Sequence, residues 1–510
     1  MTDTRENSQP YVLRLHDADN VLVALQQIPP GASLPGGGNV HEGVPAGHKI
    51  ALRAIAAGEN ILKYGQVIGS ATTDIAQGAH VHVHNLGMGQ HKQDYSFGSA
   101  AHPLGRVEAD ATFAGFQRPS GRVGTRNYIG ILTSVNCAGS VARFIAEAAM
   151  RDNLLDGFPN VDGIVPIVHG TGCGMSGQGE GYDTLFRTLA GYGHSANFGA
   201  ILMIGLGCEV MQIPDLMDRK ALKDKARFRY MTIQQQGGTR ATVDKGAAIL
   251  RELAAEANKA VRERSPAANL VLGMQCGGSD GYSGITANPA LGVASDMLVQ
   301  HGGTSILSET SEIYGAEHLL TRRAMDEATG RKLIDLIDWW EEYTARNFGE
   351  MDNNPSPGNK RGGLTTILEK SLGAVAKGGS APLSGVYKYA EPIDRKGFVF
   401  MDSPGYDPCS VTGQTASGAN LIAFTTGRGS VSGYQPVPSI KLASNPDLWS
   451  RMEPDMDVNC GDILDGVTLA EKGQEIFDLM LAVASGAKTK SEAQGFGAVE
   501  FVPWQIGAVM

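Results

Sequence analysis

The chain has 510 residues, a net charge of -10 at pH 7, 42% hydrophobic and 19% charged residues. That length exceeds one hydrophobic core, so about two to four domains are expected. The acidic balance, with one short basic cluster from Arg219 to Arg229, argues against nucleic-acid binding, and no run approaches the ~18 apolar residues of a membrane span.

The first residues, Met1 to Ser8, are polar and lack the apolar core of a signal peptide, so a cytoplasmic protein with free thiols is expected. Six cysteines, none in CxxC spacing, make neither a disulfide framework nor a zinc ribbon. Glycine is in excess, 67 of the 510 residues, or about 13% against a usual ~7%. These glycines cluster in loops, where they permit tight turns and close approach of backbone to ligand.

Residues 1–97 read as a small β-rich domain. Apolar pieces such as Tyr11 to Leu15, Asn20 to Ala24 and Ala79 to Val83 alternate there with Gly/Pro turns. Residues 98–118 read as a linker, residues 119–265 as a middle three-layer α/β domain with a parallel sheet, and residues 266–510 as a C-terminal α/β domain. Helices are expected over Val141–Asp152, Asp183–Ala190 and Thr242–Arg264, and around Trp339-Trp340.

Four apolar runs each end in a glycine-rich turn bearing a metal-ligand residue. Tyr128 to Thr133 leads to Cys137, Gly163 to Val168 to His169 and Cys173, Ala200 to Ile204 to Cys208 and Glu209, and Leu270 to Met274 to Cys276. Continuous apolar runs read as buried parallel strands, and open parallel sheets bind ligands beyond the carboxyl ends of their strands. Cys137, Cys208 and Cys276 are therefore expected to share one edge and hold a soft metal or an iron–sulfur cluster. His169 and Glu209 stand in reserve, and Cys409 and Cys460 are structural.

A second constellation is His80-Val-His82-Val-His84, where period-2 spacing puts three imidazoles on one strand face. With His16, His41 and His48, six of the chain's 12 histidines fall in this one domain. They serve as acid, base or metal ligands, so thiolate and imidazole ligand sets both remain open. Lys360 and Arg428, each beside glycines, are placed to hold carboxylate. Gly172 to Gly177 fits GxGxxG and Gly277 to Gly281 fits GxSxG. The first follows the second strand of its region and the second has no triad partners, so neither carries a function.

Several segments together resemble the altronate and galactarate dehydratase family of sugar-acid lyases. They are Gly47-His48-Lys49, His80-x-His82-x-His84-Asn85, Gly124-x-Arg126-Asn127, Ile204-Gly-Leu-Gly-Cys208-Glu209, Cys276-Gly-Gly-Ser-Asp280-x-x-Ser283 through Asn288-Pro289, Asn354 to Lys360, and Thr426-Gly-Arg428-Gly429. The resemblance implies an N-terminal SAF-type domain and dependence on ferrous iron, sometimes replaceable by manganese. It also implies loss of water from a six-carbon sugar acid to give a 2-keto-3-deoxy acid. The His-x-His-x-His segment is more like the altronate than the galactarate enzymes, whereas Pro404 to Thr412 and Phe501 to Trp504 depart from the altronate pattern. The alternatives are a galactarate (or other aldarate or aldonate) dehydratase or a sulfo-lyase of the same family; a sugar-acid sensor is the non-enzyme reading, though no output element is visible.

For such a dehydration His48, His82, His84 and Lys360 are the expected catalytic residues, and Asp280 and Ser283 are expected to contact substrate hydroxyls. Lys360 and Arg428 hold its carboxylate. A homo-oligomer working on a small-molecule sugar acid, with no nucleic-acid or membrane partner, completes the expectation.

Overall fold

The computed structural model describes residues 11–35, 37–89, 93–107, 111–219, 222, 224, 226–507 and 509. The polar stretch Met1 to Ser8 and positions 220, 221, 223 and 225 of the basic cluster lie outside the described residues.

Residues 11–89 form two small antiparallel sheets. One joins Val12–Leu13, Val21–Ala24, Lys49–Ala51 and His80–Val81; the other joins Asn60–Lys63, Gln66–Ala71 and Leu86–Gly87. Ile61, Ile68, Val81 and Leu86 are buried in the same core as Leu272, Met274 and Leu291 of the C-terminal region. Apolar burial therefore fixes the small domain against the large one.

The middle sheet is parallel, in the order Gly163–Ile167, Tyr128–Thr133, Phe198–Gly205, Phe228–Thr232. Its fourth strand escapes a search for apolar runs because Phe228-Arg-Tyr-Met-Thr is a half-exposed edge strand. The helix Thr239–Ala257 stops short of Arg264, and Arg262–Pro266 instead pairs antiparallel with Thr112–Gln117. A charged segment with fair helix propensity is thus held as a strand by its neighbour. That pairing also occupies the last part of the expected linker.

Val271–Cys276 belongs to a different sheet. It is the central strand of seven, in the order Leu383–Tyr387, Gly397–Met401, Thr304–Leu307, Val271–Cys276, Leu421–Thr426, Ser439–Ala443, Val458–Asn459, with every pair parallel. The chain winds away from this strand to one side and returns to its other side, which makes its carboxyl end a topological switch point. Trp340, Tyr389 and Trp504 share one core with Tyr192 and Phe198 of the middle domain, and Trp504 stacks on Trp340 with centroids 5.3 Å apart. The terminal Phe501 to Trp504 segment is therefore part of the joint between the two sheets. No helix among the described residues is long and apolar enough to cross a membrane.

Candidate functional site

Beyond the carboxyl ends of the central strands lies a cleft of about 500 Å³, lined by Cys276, Gly277, Gly278, Glu312, Asn354, Asn359, Lys370 and Asp407 among others. Lys370 Nζ donates to Glu312 Oε1 at 2.7 Å and to Asn354 Oδ1 at 2.9 Å. Lys377 Nζ lies 3.2 Å from Glu309 Oε2. The Cys276 thiol is 3.5 Å from Glu312 and 3.7 Å from Glu309. Burial pushes this thiol far above its ordinary range. It likewise pushes Glu309 up, with Lys377 opposing, and raises Asp407 to about 7. Cys276, Glu309 and Glu312 could converge on a cation by distance alone. Each of the two carboxylates also faces an ammonium group, Lys377 at Glu309 and Lys370 at Glu312, so a cation there would compete with an existing ion pair.

On the small domain, ligand atoms of His48, His80 and His82 lie within 4.8 Å of one another. The strand ends at Val81 and a turn follows, so it is the turn, not the pleat, that gathers the rings. Asn85 clamps it, accepting from His82 N at 3.0 Å and donating to His80 O at 2.9 Å. His80 and His82 stack with centroids 5.5 Å apart, and His48 Nδ1 is 3.0 Å from His80 Nε2. Burial lowers all three imidazoles, His80 to about 4 and His82 to about 3, which keeps them neutral, as metal ligation requires. His82 Nδ1 is buried and has no hydrogen-bond partner, a vacancy in the polar bookkeeping that a ligand would fill. His84 is exposed, its ring 5.4 Å from that of His80.

The short helix Pro357–Arg361 borders both places. Asn359 lines the cleft, and the Arg361 carbonyl lies 3.3 Å from His48 Nε2. Backbones meet without side chains at this seam: Gly281 N donates to Gly362 O at 2.7 Å, and a Cβ on Gly363, whose φ is +103°, would fall 2.3 Å from the Gly47 carbonyl. Lys49 and Lys63 of the small domain both reach Glu369 of the large one, at 2.8 Å and 2.9 Å. The glycine motif before His48 thus serves docking.

The other expected site residues are placed as follows. Asp280 accepts from Ser283 N and Oγ, Ser444 Oγ, Asn445 Nδ2 and Tyr282 N. Both Asp280 and Ser283 are buried and spend their hydrogen bonds closing the turn after the central strand. Neither Lys360 nor Arg428 lines the cleft. They adjoin residues that do, since Lys360 follows Asn359 and the Arg428 Cβ would be 3.2 Å from a Cβ on Gly278.

The expected thiolate set is divided. Cys276 ends a strand of the seven-stranded sheet, whereas Cys137 and Cys208 leave the middle sheet, and no three of Cys137, Cys208, Cys276, His169 and Glu209 converge within 4.8 Å. The physical reason is that similar apolar runs complete two separate parallel sheets.

Known families account for nearly the whole chain. The profile "Altronate/galactarate dehydratase SAF domain" matches residues 10–89, "D-galactarate dehydratase/Altronate hydrolase, second domain" residues 115–258, and "D-galactarate/Altronate dehydratase, C-terminal" residues 267–509. The altronate dehydratase of Bacillus subtilis (strain 168) is 35% identical over 489 residues, 95% of this chain and 97% of the relative. The altronate dehydratase of Escherichia coli (strain K12) is 34% identical over 488 residues, again 95% and 97%. The galactarate dehydratase (L-threo-forming) of the same bacterium is 37% identical over 498 residues, 95% of this chain and 94% of the relative. The chain belongs to the D-galactarate/altronate dehydratase family.

In this member of the family the residues that sequence reasoning missed are Glu309, Glu312, Lys370, Lys377 and Asp407. Glu309 stands two residues past a four-residue strand, Thr304–Leu307, too short to register as an apolar run. The strand-end argument that found Cys276 would have found Glu309 had that strand been recognised. Lys370 hides in the buried helix Ile367–Val375, which reads as a core segment.

Proposed function

We propose that the chain is a hydro-lyase that removes water from a hexonate or hexarate to leave a 2-keto-3-deoxy acid, with altronate the first substrate to test. The observation that carries this reading is the pairing, on either side of the helix Pro357–Arg361, of neutral imidazoles with a cleft in which burial raises Asp407 to about 7. Ferrous iron, or manganese in its place, fits His48, His80 and His82, which offer three neutral nitrogen donors and one unpartnered buried Nδ1. Bound there, a divalent ion supplies Lewis acidity that makes the C2 proton more acidic and the C3 hydroxyl a better leaving group.

The chain's own residues supply the rest. Lys370 and Asn354 orient substrate oxygens in the cleft, while Lys360 and Arg428 draw in carboxylate. His84, the exposed imidazole beside His80, accepts the proton from C2, and the electrons of that C–H bond form the C2=C3 double bond. The C3–O bond breaks as Asp407 gives its proton to the departing hydroxide, so water leaves. The resulting enol tautomerises to the 2-keto acid.

Protein loaded anaerobically with ferrous iron, incubated with altronate, galactarate and a panel of other aldonates and aldarates, is expected to form 2-keto acid from at least one of them. Binding without any 2-keto acid would assign the chain to the sensors. Release of sulfite from a sulfonated hydroxy acid, with no sugar acid turned over, would assign it to the sulfo-lyases.

A further inference from the structure

Cys137, Cys173 and Cys208 are the three exposed thiols of the chain, and the dehydration chemistry above uses none of them. All three follow the carboxyl ends of the three adjacent strands of the middle sheet. Leu132 pairs with Ile167 and Thr133 with Ile204, so the loops leave one edge about 4.8 Å apart.

Those loops are fastened to one another. Asn136 N donates to Thr171 O at 2.9 Å, and Met211 N to Gly172 O at 3.1 Å. Asn136 Nδ2 reaches the His169 carbonyl at 3.1 Å. The buried Glu209 takes Ser134 Oγ on one oxygen and Gly207 N on the other, both at 2.6 Å. The buried His169 joins Thr133 O at 3.0 Å and accepts from Thr171 N at 3.3 Å. Glu209 and His169 therefore act as clamps on the loops and have little capacity left for a metal. A Cβ on Gly172 would stand 2.2 Å from Ser134 O, so the loop that carries Cys173 is pressed against the one that carries Cys137. A buried carboxylate and a buried imidazole are costly to maintain. Here they hold together three loops whose shared outward chemistry is the thiol.

We infer that these three cysteines are the thiolate ligands of a cubane iron–sulfur cluster, a site separate from the imidazole group on the small domain. Their sulfurs do not all lie within 4.8 Å of one another. Three thiolates on a single tetrahedral ion stand ~3.8 Å apart, given metal–sulfur bonds of ~2.3 Å; the corners of a cubane hold theirs ~6 Å apart. Sulfurs that do not all come within 4.8 Å of one another do not suit a single ion, so of the two arrangements only the cluster is compatible with their placement. Gln234 Nε2 lies 3.4 Å from Cys208 Sγ, an N–H···S contact of the kind that tunes cluster potential. Binding replaces three S–H bonds by three Fe–S bonds and releases three protons, and the fourth iron faces solvent with no protein thiolate.

The full chain is to be reconstituted anaerobically with ferric iron, sulfide and dithiothreitol, the dithiol supplying the electrons that reduce half of the iron. The expected result is about four sulfide and at least four iron per chain with a broad visible band. Cys137→Ser, Cys173→Ser and Cys208→Ser are each expected to lower bound sulfide at least fivefold, while Cys409→Ser and Cys460→Ser keep it. Circular dichroism of each variant separates loss of cluster from loss of fold. Alkylation mapping reads the same site without any variant: iodoacetamide is expected to label positions 137, 173 and 208 in the cluster-free protein and to spare them after reconstitution. Iron bound without sulfide, sulfide unaffected by the three exposed-site substitutions, or unchanged alkylation would each overturn the inference. None of these readouts depends on the dehydratase reading.

Discussion

Replacing Glu369 by Gln tests whether one buried carboxylate docks the small domain that carries the histidines. Its two oxygens receive Lys49, Lys63, Thr365 N and Thr365 Oγ1, and both lysines are almost completely enclosed, at 0% and 1% exposure. The ammonium groups hold Glu369 far below the usual carboxylate range. Lys49 sits at about 8 even with Glu369 present, because burial outweighs the attraction. With Gln in place Lys49 loses its proton at neutral pH. Taking Lys49 from about 8 to below 7 forfeits about 1.4 kcal/mol per pH unit, to which the loss of the Lys63 pair adds. Mutational data on broken buried pairs give about 3–5 kcal/mol for the whole effect. The Ala51 amide, bonded to Ala79 O at 3.0 Å within the small domain, reports opening by hydrogen exchange, and its exchange is expected to quicken on the order of 10²–10³-fold. Exchange within fivefold of wild type would refute the account of Glu369 as the clasp between domains.

Other predictions follow from the same geometry. His82→Ala is expected to lower the ferrous iron bound by protein loaded without sulfide at least tenfold while the small domain keeps its circular dichroism; unchanged iron by elemental analysis of that sulfide-free protein would count against the imidazole site. Asp407→Asn is expected to lower kcat by roughly 10²–10⁴-fold. Because the protonated acid acts, wild-type kcat/KM falls as pH rises through about 7, and a pH–rate series on the variant should lack that limb. Gly363→Ala places a Cβ 2.3 Å from the Gly47 carbonyl at φ +103°. It is expected to cost at least about 2 kcal/mol, read as a lower urea midpoint, and a wild-type midpoint would deny the close approach at the seam.

Much of the fold was legible in the residues. The β-rich start, the alternation that follows and the strands ending near Cys137, His169, Cys208 and Cys276 all announce themselves by apolar runs that stop at glycine. Two strands were harder to see: Phe228–Thr232 is a half-exposed edge strand and Thr304–Leu307, inside its sheet, is only four residues long, so neither shows a continuous apolar signature. Arg262–Pro266 reads as helix because its strand state is imposed by a partner some 150 residues away, at Thr112–Gln117. The histidines were visible as a group. Their convergence, however, comes from the turn that Asn85 holds and from His48, just before the neighbouring strand Lys49–Ala51, not from alternation along one strand.

Local chemistry along the chain sufficed to mark which residue types could bind and react, since apolar period, glycine turns and ligand-bearing side chains are properties of neighbours in sequence. Which of those residues meet was decided only by folding. Two parallel sheets with near-identical strand signatures took Cys276 away from Cys137 and Cys208, and burial turned Asp280, His169 and Glu209 into internal fasteners. It also made a reactive-looking group of Glu309, Lys370 and Asp407, residues unremarkable in sequence. Charge and hydrogen-bond demand inside a low-dielectric interior depend on what surrounds a group in three dimensions, and that environment has no local code.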